Sequence, residues 1–358
     1  MFHGTTLFSY RIRTALRSSC ALFVFGVGVV VAALAQGQSD GAAQAQVGVN
    51  AAQRGDYRAA IHAYKHAIAI NSNLPGIYLN MGLAYFKLGS FREAIAAFEK
   101  ENAKAPSERV QTLVAMSYFG LGQYAEAAKR LKPLASAQPG NTELVYLLAK
   151  CYVWSGQREE AMALFKQLLE HDPDAPAVHM LMGEALDADR RTGEAISEFE
   201  AAVKSNPMQP DVHFGLGYLY WKERRYAEAE REFRDELRTN PQNAPANAYL
   251  GDILMNSGHG KAAIPFLERA IALRSDLHIA HKDLAIIYTG DKQSEKAIRE
   301  FREAIRTDPS NYDAHYRLAR LYRELGRTAE ADKEFAIVRT LHQKQTEEPL
   351  IKISGSSL

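Results

Sequence analysis

The sequence predicts an all-α protein, an α-solenoid of stacked helix–turn–helix units, and three observations lead there. A residue pattern recurs every 34 residues from residue 41 almost to the C-terminus. Within each period small residues hold two fixed places, and paired helices approach closely only where both present small side chains. Alanine is abundant and β-branched runs are few, which favours helix over strand.

The first forty residues differ from the rest. Arg11, Arg13 and Arg17 precede an uncharged apolar run from Ala21 to Leu34, which closes on Ala33-Leu34-Ala35. A basic start, an apolar stretch of this length and small residues around the third-from-last and last positions describe a secretory signal, cut between Ala35 and Gln36. The alternative is an uncleaved anchor, but spanning a bilayer takes about 20 apolar residues and this run is shorter. Cys20 precedes the run, so it is not placed as a lipoprotein acceptor. The expectation is an exported chain, periplasmic or extracellular, with 1–35 as signal and 36–40 as linker. A membrane association follows only if residues 1–35 are retained as an anchor.

Charge narrows the partners. The whole chain has 43 Lys and Arg against 42 Asp and Glu, and loss of residues 1–35 leaves 40 against 42. Nucleic-acid and polybasic membrane binding both need an excess of positive charge, so neither is expected. Cys151 is then the sole cysteine, which excludes an intrachain disulfide and leaves stability to packing.

The repeats are seen by comparing NMGLAYFKLGSFREAIAAFEK from Asn80, LGYLYWKERRYAEAEREFRDE from Leu216 and LARLYRELGRTAEADKEFAIV from Leu318. Aligned on their shared marks, they define nine units: 41–74, 75–107, 108–141, 142–175, 176–209, 210–243, 244–277, 278–311 and 312–345. Position 8 is Gly or Ala throughout, as in Gly48, Gly82, Ala115 and Ala149, and position 20 is Ala in every unit, from Ala60 to Ala331. Tyr recurs at position 11 (Tyr85, Tyr118, Tyr152, Tyr220) and Phe at position 24 (Phe98, Phe165, Phe199, Phe233). Positions 4, 7, 8 and 11 form one stripe of an α-helix. Glycines such as Gly89 and Gly122 suit the left-handed residue of an interhelix turn, and prolines at position 32, such as Pro106 and Pro139, stop the second helix.

These marks resemble the tetratricopeptide repeat, over residues 41 to about 345. The resemblance implies helix–turn–helix pairs stacked into a right-handed superhelix, with peptides or partner helices held in its inner groove. Unit one departs from the pattern as a capping repeat does, with Ala51 in place of Tyr and a polar opening. Unit five carries Leu186, Arg190 and Thr192 at its marks, which makes its turn less sharply defined. Pro133 and Pro265 fall inside second helices, where kinks are expected. The tail 346–358 is expected to be flexible, with the alternation in Leu350-Ile351-Lys352-Ile353 leaving open a short strand or a plug for another molecule.

No phosphate loop, metal-protease helix, C-x-x-C or nucleophile elbow is present, so no catalytic residues and no cofactor are expected. Cys151 takes position 10, where other units place Ala84 or Leu219, and reads as a small buried residue. His179, His213, His281 and His315 all take position 4. Equivalent helices of neighbouring units lie roughly 10 Å apart, so these rings do not converge on a metal, and they read as packing residues.

A binding face is expected opposite the packing stripe, at positions 2, 5, 9 and 12 of the first helices. Four units are apolar there: Leu79, Leu83 and Phe86; Met116 and Phe119; Tyr146, with Trp154 at position 13; and Phe214, Tyr218 and Trp221. Repeated at corresponding places, these side chains would merge into a patch that takes a protein or peptide partner. In the last units Lys282, Arg317, Arg320 and Arg323 offer a cationic end suited to carboxylates. The function expected is a non-enzymatic interaction scaffold; the alternative is a membrane-tethered assembly protein that self-associates.

Overall fold

The structure, a computed structural model, describes residues 39–354, with side chains over 40–343. The expected signal and its cleavage site lie outside the described residues. Among these residues there are eighteen helices and no strand. Unit one contributes α1 (Ser39–Gln53) and α2 (Tyr57–Ile70), unit two α3 (Ile77–Lys87) and α4 (Phe91–Lys104), unit three α5 (Glu108–Gly120) and α6 (Tyr124–Ala137). Units four to six contribute α7 (Thr142–Ser155) and α8 (Arg158–His171), α9 (Pro176–Ala188) and α10 (Thr192–Ser205), α11 (Val212–Lys222) and α12 (Tyr226–Thr239). Units seven to nine contribute α13 (Ala244–Asn256) and α14 (Gly260–Leu273), α15 (His278–Gly290) and α16 (Ser294–Thr307), α17 (Tyr312–Glu324) and α18 (Thr328–Ser354). The chain divides into two compact bodies, one ending at Pro173 and one beginning at Asp174. Body one holds units one to four and body two units five to nine. In each, the two helices of a unit pack on one another and the second packs on the first helix of the next unit.

The packing follows from the small residues. Position 20 is fully buried, with Ala60, Ala94, Ala127, Ala161 and Ala195 at 0% exposure. Position 8 makes room for the ring at position 24. A Cβ on Gly82 would stand 2.5 Å from the Phe98 ring, and one on Gly48 2.5 Å from the Tyr64 ring. In these two units the ring occupies the space that a methyl group would fill.

All nine interhelix turns share one geometry. Position 15 has positive φ in every unit, from Gly55 (80°) to Gly326 (74°), including Arg190 (62°), Arg224 (60°) and Lys292 (59°). The next amide donates to the carbonyl of position 11, as Ser90 does to Tyr85 at 3.0 Å and Arg191 to Leu186 at 3.0 Å. This is a Schellman closure, and the turn of unit five is therefore as regular as its neighbours.

Second helices end at position 30, two residues before the proline where one is present, for instance at Lys104 ahead of Pro106. Unit nine has Gln343 at position 32, and α18 runs on to Ser354. Residues 346–354 are thus helical where a flexible tail or a short strand was expected. At the other end α1 begins at Ser39, inside the expected linker. Pro133 and Pro265 lie within α6 and α14, and both helices continue past them.

Units two and six begin differently from the others. Gly76 and Asp211 take left-handed backbone before α3 and α11, with φ of 69° and 63°. The first turns are capped from the paired second helices, where Glu101 accepts the Leu79 amide and Glu236 the Phe214 amide, both at 3.3 Å. A carboxylate here meets otherwise unsatisfied N–H groups at the positive end of a helix. Glu236 is buried, which raises its pKa, and the amide of Asn243 donates to it at 2.8 Å.

Candidate functional site

The first helices of body one carry a continuous run of aromatic and aliphatic side chains, but not all stand in solvent. Phe86, Met116 and Phe119 are buried, as is Phe214 in body two. The expectation that these four present an open surface is corrected: neighbouring first and second helices cover them. Phe86 meets Phe91 edge-on at 5.3 Å, and Phe214 packs near Phe233 and Tyr249. Leu79, Leu83, Tyr146, Trp154, Tyr218 and Trp221 are half-buried and keep part of their surface accessible.

Two aromatic groups result. In body one Phe119, Tyr124 and Trp154 pack with ring centroids 4.9–5.3 Å apart. The Lys150 ammonium lies over Phe119, Tyr146 and Trp154, at 5.5, 5.5 and 5.2 Å from the ring centroids. Ring quadrupoles attract the cation, while burial holds its pKa below the usual lysine value. In body two Tyr218, Trp221 and Tyr249 contact one another, and the Trp221 indole N–H donates to Asp252 Oδ2 at 2.7 Å. Lys150, Tyr249 and Asp252 were missed from sequence. Their signal was faint, because a lysine at position 9 looks like any solvated residue until its neighbours are known.

A cavity of about 170 Å³ opens between α3, α5 and the start of α7. Leu83, Phe86, Leu113, Met116 and Leu144 supply its apolar wall, and Lys87, Glu108, Arg109, Gln138 and Asn141 its polar border. Three residues singled out from sequence, Leu83, Phe86 and Met116, therefore line one hollow.

The cationic end of body two is more self-contained than expected. Arg317 pairs with Asp313 at 2.8 Å and Arg320 with Glu324 at 3.6 Å, each within α17. Arg323 lies over the Phe335 ring at 5.3 Å. Lys282 sits 3.3 Å from Asp283, a fully buried carboxyl that burial raises well above the usual carboxylate range.

The four position-4 histidines do more than pack. Each ring Nδ1 meets a glutamate at position 23 of the same unit: His179 with Glu198, His213 with Glu232, His281 with Glu300 and His315 with Glu334, at 2.6–2.7 Å. In two units Nε2 also meets a carbonyl at 3.2 Å, that of Ser275 for His281 and of Pro309 for His315. Both nitrogens of these two rings thus face acceptors, an environment that favours the imidazolium and raises the pKa above the usual histidine value. Cys151 is buried, and burial pushes its thiol up to about 12. Among the described residues no group of three or more His, Cys, Asp or Glu is placed to hold a metal.

The hairpin geometry now has a match in sequence. The tetratricopeptide-repeat family's profiles match residues 118–185 and 288–348, 52–100, and 180–244 with 214–278. The chain belongs to the tetratricopeptide-repeat family. This tetratricopeptide-repeat chain resembles the crystal structure of a family protein from Parabacteroides merdae, with a TM-score of 0.58 and 16% identity, covering 69% of this chain and 98% of that one. That likeness shows the shared fold. MamA matches at 23% identity and a TM-score of 0.41, over 46% of this chain and 97% of its own. YrrB, described as having an unusual peptide-binding site, matches at 19% and 0.42, over 52% of this chain and 97% of its own. A TPR repeat-containing thioredoxin of Arabidopsis thaliana, TTL4, is 31% identical over 87 residues, 24% of this chain. The match spans only 13% of that protein's length.

Proposed function

We propose that this tetratricopeptide-repeat chain is an exported, non-enzymatic scaffold that holds a segment of a partner protein on its first-helix face. The observation that carries the reading is the hollow in body one, where apolar side chains from three successive units border accessible space. Apolar surface left open beside polar residues marks binding sites more often than accident. Export rests on Arg11, Arg13 and Arg17 ahead of the apolar run ending at Leu34. The non-enzymatic reading rests on the state of the reactive groups: the Cys151 thiol is pushed up to about 12, and the position-4 histidines are engaged by carboxylates.

Site-specific photo-crosslinking in the cells that make the protein tests this. A crosslinking residue at Arg109, on the exposed border of the hollow, is expected to give a discrete adduct, whereas one at exposed His66 on α2 gives none. Equal labelling from both places would reject the first-helix face as the binding surface. The mass of the purified chain decides between a free and a tethered form, since a start at Gln36 requires cleavage and retention of residues 1–35 supports an anchor.

A second reading, self-association, is favoured by one observation. Tyr312 and Tyr316 stack on the last unit while each stays 38% exposed, and Ile337 on α18 is 39% exposed. Light scattering at rising concentration distinguishes it, with a constant mass counting against it.

A further inference from the structure

The hollow in body one fixes more than the presence of a partner. We propose that it seats one apolar side chain of a partner segment whose adjacent residues are aspartate or glutamate; this rests on the first-helix face being the binding surface, as argued above. Size comes first. Sites for drug-sized molecules and cofactors occupy about 300–1,000 Å³, and this hollow is about 170 Å³. An apolar cavity of about 150 Å³ holds one benzene-sized group. The occupant is therefore a single leucine, methionine or phenylalanine side chain, not a small molecule in its own right.

The wall agrees. Leu83, Phe86, Leu113, Met116 and Leu144 offer no charge to a polar occupant, and the flexible thioether of Met116 adapts to side chains of different shape.

The border supplies the sign of the flanking charge. Lys87 ends α3 and Arg109 lies in the first turn of α5, and both side chains are exposed. Neither has an ion-pair partner among the described residues. Arg109 also stands at the positive end of a helix, where a cation gains nothing from the backbone dipole and an incoming carboxylate gains from both. The acid on this border, Glu108, accepts the amide of Gln138 and keeps its charge, so with Lys87 and Arg109 the border is positive by one charge. An acidic segment passing between Lys87 and Arg109 thus meets two cations free to pair. A basic one meets the same two as like charges. The situation differs from Arg317 and Arg320, whose charges are already answered within their own helix.

A library of random dodecapeptides displayed on phage, selected on the full exported chain, reads this directly. Enriched peptides are expected to share a leucine, methionine or phenylalanine with at least two acidic residues close by in sequence. Synthetic copies are expected to bind the double variant Lys87→Glu, Arg109→Glu at least about tenfold more weakly, and to lose affinity as salt is raised. Both substitutions are at exposed positions, and an unchanged helical circular dichroism spectrum confirms that the variant is folded. Enrichment of neutral or basic peptides, or full affinity in the double variant, overturns the acidic-segment proposal while leaving the binding face standing. Failure of the unaltered chain to enrich any peptide overturns both.

Discussion

Where position 8 is glycine, as at Gly82, the missing methyl group leaves room for the ring of position 24. At Gly82 the substitution Gly82→Ala drives a Cβ to within 2.5 Å of the Phe98 ring, which is fully buried and has little room to move. The expected loss is about 1–3 kcal/mol, read as a lower urea midpoint with an unchanged slope. Gly217→Ala is expected to cost less, since its Cβ meets the Phe233 ring at 3.0 Å. Equal costs at the two sites would show that ring clearance is not what position 8 controls. This contact was fully legible in the sequence, because the small residue and the ring recur together at fixed places. The His–Glu pairs were legible too, but only in part. Glutamate occupies position 23 in each unit that has histidine at position 4, whereas Tyr78 is matched with Ala97 and Val145 with Leu164. Reading position 4 alone hid the pairing. Side-chain exposure was the least legible property: Phe119 and Trp154 occupy similar places on their helices, yet one is buried and the other half-open. Burial depends on what the neighbouring helix brings to the same spot, which periodicity within one helix does not encode.

At the scale of the element, the turns set the register of the whole array and impose a local cost where glycine is missing. A side chain with a Cβ in left-handed backbone is disfavoured by roughly 1–2 kcal/mol, part of which glycine gives back through its freer unfolded chain. Arg224 and Lys292 sit in that backbone with their side chains exposed. Arg224→Gly and Lys292→Gly are therefore expected to stabilise body two by about 0.5–1 kcal/mol each. The reverse change in body one, Gly89→Ala, is expected to destabilise by about 1 kcal/mol. Because Arg224 and Lys292 are two units apart, their effects should add. Chemical denaturation of the single and double variants measures this; a neutral or harmful glycine at both sites would mean that the flanking hydrogen bonds, not the φ angle, dominate the turn. Helix ends were equally readable where proline marks them. The end of α18 was not, since the absence of a stop at Gln343 was outweighed in the reading by Pro349, which the helix passes.

Across the whole molecule the histidine pairs of body two and Lys150 of body one carry opposite proton linkages. Body two holds all four His–Glu pairs. For His213, the hydrogen bond to Glu232 leads in raising the pKa above 6.5, aided by Asp235 and Glu236 and opposed by burial. For His281 and His315 burial works against the charge, but hydrogen bonds to Glu300 and the Ser275 carbonyl, and to Glu334 and the Pro309 carbonyl, outweigh it, with Glu303 and Asp308 nearby. A histidine whose folded pKa lies above its unfolded value adds stability that is complete below about 6.5 and disappears as pH climbs through the higher folded value. The buried acids Glu236 and Asp283, also raised, act with the same sign at lower pH, above their ordinary values of 4.5 and 3.8. Body one has no such histidine pair among its described residues, and its buried Lys150 is shifted downward, so there stability rises as pH passes through the lowered value. Moving from pH 6 to pH 8, below the range where the raised Cys151 thiol begins to cost body one stability, is thus expected to weaken residues 174–343 and to leave residues 40–173 unchanged or firmer. Hydrogen exchange followed by peptide-level mass spectrometry, corrected for the intrinsic rate at each pH, resolves the two halves in one sample. The double variant His281→Gln, His315→Gln should be less stable at pH 6 and should flatten the pH response of body two. Parallel loss of protection in both bodies, or an unaltered response in the double variant, would place the pH sensitivity somewhere other than these pairs.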